Sequence, residues 1–410
     1  MSKSINKFAF LVHEPSLYDH WKDIWHRLDR DEFVILLMEK FRKESVGVFA
    51  GNVQKFMDLI QEHEFPYIYV QDLLASDERF NYVISNHVVS GTAKTEKVSP
   101  VKFLKNVVKR MINVPIGLAG RKRFELSGAT KYISLRCGLC PIRIMYGADI
   151  SDGWSLAHWN EQYRAIFCHG PNDEKAVRSR FDAEVFQMGY PRYDRYFNSP
   201  VTPETNSLFE EFSLSHGKQT IVWLPTLGEG VCSIPYYARH IARLMDEYNV
   251  VVRPHPISFR EEPANIELLE SMNFTLDRND VRDMTQLYAL ADIVICDYGG
   301  TSFSALYLDK KIVQVNVPGA ETFYTSANSS NMELREIMSP VVDLADAAEL
   351  SSIIADKAVW ENQVAQREVA FRKYFAPYRG ESSQRVVDVL RQLKKNEFVS
   401  SSTPTQLPST

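Results

Sequence analysis

Short apolar runs recur along the chain and close on glycine, proline, histidine or aspartate. KFAFLVH, FVILLM and YIYV come early, IRIMYG, RAIFCHG and VFQMGYP in the middle, and TIVWLPT, VVVRPHP, DIVICDYGG and KIVQVNV later. Runs this short, separated by amphipathic stretches, read as buried parallel strands joined by helical crossovers. The fold class is therefore α/β. At 410 residues the chain exceeds one ordinary core, and the rhythm breaks at 198–218, around Pro200, Pro203 and a Ser/Thr/Asn-rich flank. Two Rossmann-like domains are expected, 1–200 and 215–396. The second closes on a helix whose Val386, Val387, Leu390 and Leu393 share one face, and the Ser/Thr/Pro-rich tail 397–410 is expected to be disordered.

A net charge of -5 gives no overall attraction to nucleic acid, so none is expected as a partner. The five cysteines are odd in number and scattered, which argues against a disulfide framework and for a reducing compartment. With neither a signal-like start nor a spanning apolar run, the expectation is a cytoplasmic protein, at most peripheral on the inner face of the cell membrane. The stretch 97–124 has no acidic residue after Glu96 until its end is passed. Within it, Lys102, Lys105, Lys109 and Arg110 accompany apolar residues at helical spacing. Such a basic amphipathic helix suits an anionic bilayer; a core helix with a solvated basic face is an equal alternative.

The segment ADIVICDYGGTSFSALYLD places Asp297 and Tyr298 at a strand end and Gly299, Gly300, Thr301 and Ser302 in a tight turn into a helix. Glycines allow close approach of a ligand, and the first amides of a helix lack intrahelical partners, so the pattern suits a phosphate. A plain strand-to-helix connection capped by Thr301 or Ser302 leaves the second glycine without a purpose. In VVVRPHP, Arg253 and His255 stand at another strand end, with prolines holding the backbone on both sides of the histidine. An imidazole there suits a pyrophosphate leaving group.

Several segments together resemble the CDP-glycerol glycerophosphotransferases, which make the glycerol phosphate links of teichoic acids and capsule polymers. VRDMTQLYALADIVICDYGG is similar to that family's D-I-x-x-L-Y-x-x-S-D-x-x-I-T-D-Y-S-S segment. His255 and Pro256 match its His-Pro element, GYPRYD its G-x-P-R-x-D, WLPT its A-P-T strand end and GESSQR its late G-x-S-x-R. The resemblance implies a two-domain glycosyltransferase B-type fold with an interdomain cleft, an acceptor-side first domain and a nucleotide-holding second domain. It also implies that His255 and the turn Asp297, Gly299, Gly300, Thr301 and Ser302, with Arg253 beside them, meet the donor phosphates. Arg192 and Arg385, from the two late motifs, fall beside the cleft, Arg192 either as a substrate contact or as an interdomain salt bridge.

The chain departs from the pattern at three places. Tyr146 stands where the family has a W-H-G histidine as its proposed base, Gly299 and Gly300 replace a serine pair, and Gly228 and Glu229 replace an arginine-containing turn. A phenol of ordinary pKa, near 10, is a poor base. His169 and Glu229 are the replacement bases available on paper, with Asp152 following the Tyr146 turn. CGLC lacks a second ligand pair, and neither a Walker pattern nor an Asp-x-Asp element occurs, so no metal and no cofactor beyond the substrate nucleotide is expected. The leading expectation is a transferase moving glycerol phosphate, or a related polyol phosphate, from a CDP-activated donor to a hydroxyl of a surface polymer or its lipid-linked precursor. The alternatives are a B-type glycosyltransferase using a nucleotide sugar and a non-catalytic assembly protein binding nucleotide or polymer.

Overall fold

The computed structural model describes residues 3–42, 50–86, 88–89, 132–148, 155–199, 202–279, 282–322 and 329–396. The basic stretch 97–124 with Lys102, Lys105, Lys109 and Arg110, the side chain of Asp152 and the tail 397–410 lie outside them. Among the described residues, no helix is long and apolar enough to cross a membrane.

Two parallel sheets form the framework. The first holds β1 (Lys3–Val12), β2 (Phe33–Leu37), β3 (Tyr67–Tyr69), β4 (Glu78–Ser85), β5 (Gly138–Ile144), β6 (Ala165–Cys168) and β7 (Glu184–Gln187) in the order β3-β2-β1-β4-β5-β6-β7. The second holds β8 (Thr220–Leu224), β9 (Asn249–Val252), β10 (Thr275–Leu276), β11 (Ile293–Cys296), β12 (Lys311–Val315) and β13 (Val341–Val342) in the order β10-β9-β8-β11-β12-β13. Every residue of β2, β8, β9 and β11 is buried, as expected for parallel strands covered by helices on both faces. The α/β, two-sheet expectation therefore holds. In the second sheet the chain builds outward from β8 to β10 and then returns to β11 on the other side of β8. That reversal opens a crevice at the carboxyl ends of the two strands, where ligands of open α/β sheets bind.

The last helix, Ser382–Lys395, corrects the expected division. Val386, Val387, Leu390 and Leu393 are buried in the core of the first sheet, with Phe8, Trp25 and Ile142. Arg391 of the same helix pairs with Glu32 of the first domain at 2.6 Å. An apolar stripe announces burial but not which sheet provides it.

The crossing point explains two of the sequence motifs. Asp194 of GYPRYD accepts hydrogen bonds from the amides of Ser382 (3.0 Å) and Ser383 (2.6 Å), satisfying the orphan donors at the start of the last helix. Ser382 Oγ accepts from the Tyr190 amide at 2.9 Å, and Asn198 Nδ2 donates to the Gly380 carbonyl at 2.6 Å. A seam of rings lies beside this clasp: Tyr190 packs on Tyr193 (centroids 4.9 Å), Tyr307 (5.7 Å) and Phe375 (6.1 Å), and Tyr193 on Tyr288 (5.8 Å). Farther along, Lys22 of the helix Tyr18–Trp25 joins Asp283 at the start of Met284–Leu290, 2.7 Å apart and both nearly buried.

Candidate active site

A cavity of about 790 Å³ lies between the two sheets, with the starts of helices and the carboxyl ends of strands from both domains in its walls. The second-domain wall is mainly backbone. After β11 the chain turns at Gly299, whose φ of 91° suits glycine, and enters the helix Gly300–Tyr307. The carbonyls of the turn are tied back: Asn331 Nδ2 donates to Gly299 O at 2.7 Å, and Arg335 donates to Asp297 O. Gly300 and Thr301 line the cavity, and a Cβ added at Gly300 would meet nothing within 4 Å. The helix start thus presents donors and a partial positive charge to open space.

Three residues expected at this turn, Asp297, Gly299 and Ser302, do not line the cavity. Asp297 is fully buried and accepts from the amides of Thr226 (2.8 Å), Ser233 (2.8 Å) and Tyr298 (2.7 Å). Burial pushes its pKa up to about 6 against these bonds. Its role is to lock the loop after β8 to the donor turn. Ser302 is also fully buried, with Oγ 3.2 Å from Cys296 Sγ. Of the hydroxyl residues here, Thr301 and Ser304 line the cavity; Thr301 Oγ1 is buried without a hydrogen-bond partner, and Ser304, one helical turn in, donates to Gly300 O at 3.1 Å.

His255 stands at the end of β9, its ring open to the cavity. Its Nδ1 accepts from the Ile257 amide at 3.2 Å, so the neutral ring carries its proton on Nε2. Partial burial lowers its pKa; Glu262 pulls it up and Arg253 adds to the lowering. His255 is therefore a neutral donor near the helix mouth. Arg253 also lines the cavity, but it pairs with the fully buried Asp277 at 3.1 Å, and Arg282 shares the same carboxylate at 3.0 Å. Arg282 also pairs with Glu211, so two carboxylates balance the two guanidiniums on this wall.

The first-domain wall is built from side chains. Tyr146 and Arg192 line it, as do two residues the sequence did not single out, Arg143 and His20. Arg143, on β5, is buried and donates to the carbonyls of Asn86 (3.1 Å) and Ser155 (2.8 Å) and to Asn160 Oδ1 (2.6 Å). No carboxylate among the described residues pairs with it, and burial lowers its pKa to about 10, which keeps it charged at neutral pH. Arg192 has a buried Nε without a hydrogen-bond partner and stands 5.7 Å over the Tyr193 ring. His20, near the start of its helix, sets its ring edge-on to Tyr146 at 5.6 Å. Desolvation lowers its pKa well below 6.5, reinforced by Arg192, His169 and Lys22.

Three other expected site residues stand apart from the cavity. His169 is fully buried, with Nδ1 2.8 Å from Asp173 Oδ2 and its ring against Tyr190 at 4.7 Å; its Nε2 is sealed in without a partner. A strand-end histidine in sequence gives no sign that an aromatic seam will close over it. Glu229 lies in a separate cavity of about 320 Å³ with Glu261, Glu262 and Asn265. Arg385 stands 5.6 Å over the Tyr378 ring near the clasp.

A nucleotide-sized crevice thus lies at a strand-order reversal, lined by helix-start amides and arginines between two parallel-sheet domains, the place where open α/β sheets hold their ligands. The particular family follows from comparison: residues 130–392 match the model of CDP-Glycerol:Poly(glycerophosphate) glycerophosphotransferase, and the chain belongs to that family. It is similar to the teichoic acid poly(ribitol-phosphate) polymerase of Bacillus spizizenii, 26% identical over 165 residues that make up 38% of this chain and 26% of that protein. It is similar also to the teichoic acid poly(glycerol phosphate) polymerase of the same organism, 25% identical over 147 residues, 33% of this chain and 35% of that protein. The matched regions thus span about a quarter to a third of those relatives. The solved structure of the wall teichoic acid polymerase TagF shares the fold over 96% of this chain and 90% of that one, with a TM-score of 0.61 at 13% identity.

Proposed function

We propose that the protein transfers a polyol phosphate, glycerol phosphate first among them, from a CDP-activated donor to a hydroxyl of an anionic surface polymer or its lipid-linked precursor. The observation that carries this reading is the open helix mouth at Gly300 and Thr301, facing the same cavity as His255. A diphosphate placed there meets main-chain donors, while the Nε2–H of His255 donates to the oxygen that bridges to the nucleotide. As the acceptor oxygen attacks the β-phosphorus, its bond to phosphorus forms and the bond to CMP breaks. Negative charge grows on the CMP side, where the helix-mouth amides and the His255 N–H are aimed. Family membership and the likeness to teichoic acid polymerases support the choice of a CDP-polyol.

The test is CMP release across CDP-glycerol, CDP-ribitol, UDP-sugars and GDP-sugars with a polymer acceptor. CMP release from a CDP-polyol is the expected outcome. Turnover of a sugar nucleotide with none of CDP-polyols would make the protein a B-type glycosyltransferase, and nucleotide binding without any turnover would leave an assembly role. We further propose a cytoplasmic protein working at the inner membrane face through Lys102, Lys105, Lys109 and Arg110. Binding to anionic vesicles that disappears on reversing those four charges is its check.

A further inference from the structure

We propose that His20 is the catalytic base that takes the proton from the attacking acceptor hydroxyl, on the first-domain wall opposite the donor turn. The inference rests on the transferase reading above. Transfer to a hydroxyl needs a proton acceptor within the cavity, and the groups lining it can be taken in turn. Tyr190 and Tyr288 are buried phenols whose pKa values burial pushes up, so they hold their protons. Asp19 is engaged by Lys22 at 2.9 Å. Asp58 and Glu62 are exposed carboxylates at the rim, and a carboxylate in water is a weak base. His255 presents its N–H to the cavity because its other nitrogen already accepts from Ile257.

His20 differs from each of these. It lines the cavity, and neither ring nitrogen has a hydrogen-bond partner among the described residues, so a lone pair is available for a substrate proton. The edge-on Tyr146 ring holds one side of it, and its backbone is fixed by the helix that Lys22 ties to Asp283. The charged and titratable groups around it are Arg192 on the turn Pro191–Tyr193, His169 at the end of β6, and Lys22 and Asp19 on its own helix. Arg192, His169 and Lys22 disfavour an imidazolium, so the resting ring is neutral with its lone pair free to accept; the acceptor's proton moves to it as the negative charge of the substrate phosphates offsets those cations. In the step itself, the O–H bond of the acceptor breaks toward the His20 nitrogen as oxygen bonds to the β-phosphorus. CMP departs with the electron pair of the broken P–O bond, and the proton later passes from the imidazole to water.

His20→Gln is the decisive variant, with His20→Asn as a smaller second replacement and a CDP-induced thermal shift as the check on folding and donor binding. For both variants the CDP shift is expected to remain, kcat for CMP release from CDP-glycerol to fall by on the order of 10²–10⁴-fold, and the acid limb of the kcat/KM profile to vanish. The assignment is overturned if His20→Gln keeps kcat within about threefold with its acid limb intact, or if Tyr146→Phe costs more than His20→Gln. Wild-type protein that releases no CMP from any CDP-polyol is a different failure: it removes the transferase reading itself, and the base with it.

Discussion

The two walls of the cleft solve the same electrostatic problem by different means. The second-domain wall uses main-chain amides at Gly300 and Thr301, held in place by Asn331, Arg335 and Asp297, with one histidine at a neighbouring strand end. The first-domain wall uses the side chains His20, Arg143, Tyr146 and Arg192, contributed by a helix, a strand, a strand end and a turn. A wall of amides serves a diphosphate common to many donors, because every phosphate accepts hydrogen bonds. A wall of side chains is adjustable, and suits the partner that varies. The comparison teaches that donor binding and proton removal are physically separable here.

The separation predicts distinct failures for the two walls. Beyond the His20 variants, the largest effect is expected for His255→Ala, with kcat down by about 10²–10³-fold, since one donor to the departing phosphate is lost. Steady-state kinetics check it, and a loss confined to acceptor KM would break the contrast between the walls. Next comes Asp194→Ala, which strips two amides at the start of the last helix of their buried acceptor. A loss of about 2 kcal/mol is expected by denaturant titration, with the shift in unfolding midpoint showing whether the clasp holds the walls together.

Gly299→Ala and Gly300→Ala sharpen the picture of the amide wall. The first forces a side chain into positive φ and is expected to cost about 1–2 kcal/mol of stability, read as a lower melting temperature. The second points a methyl into open cavity, so it should spare folding and weaken CDP binding, measured by calorimetry. The smallest effect concerns pH. His20 and His255 both have lowered pKa values, so their contribution to stability falls as pH falls from 7 toward 5, while Asp297, raised to about 6, contributes in the opposite sense over the same range. His20→Gln should flatten that slope in a series of denaturant titrations; an unchanged slope would show that His20 is not held neutral by its surroundings.

Much of the second-domain wall was legible in the sequence because its chemistry is local. A strand, two glycines and a helix start are contiguous, and PHP fixes a histidine within three residues. Even there, sequence assigned Asp297 and Ser302 to the ligand when both are buried supports, since a turn's residue types do not say which face inward. The first-domain wall was legible only at Tyr146 and Arg192. His169 had the right residue type at a strand end, and the aromatic seam closed over it. His20 lies in LYDHWKDIW, where it reads as an ordinary polar position just ahead of two core tryptophans, Trp21 and Trp25.

The sequence alone determined the parallel α/β framework, the amide-lined turn and the family motifs, because period, proline and glycine act on their immediate neighbours. Only the tertiary structure decided that the last helix belongs to the first core and that GYPRYD and GESSQR form one clasp. It alone set His20 beside Tyr146, 126 positions away in the chain, because strand order is fixed by which faces bury each other and not by residues adjacent in sequence.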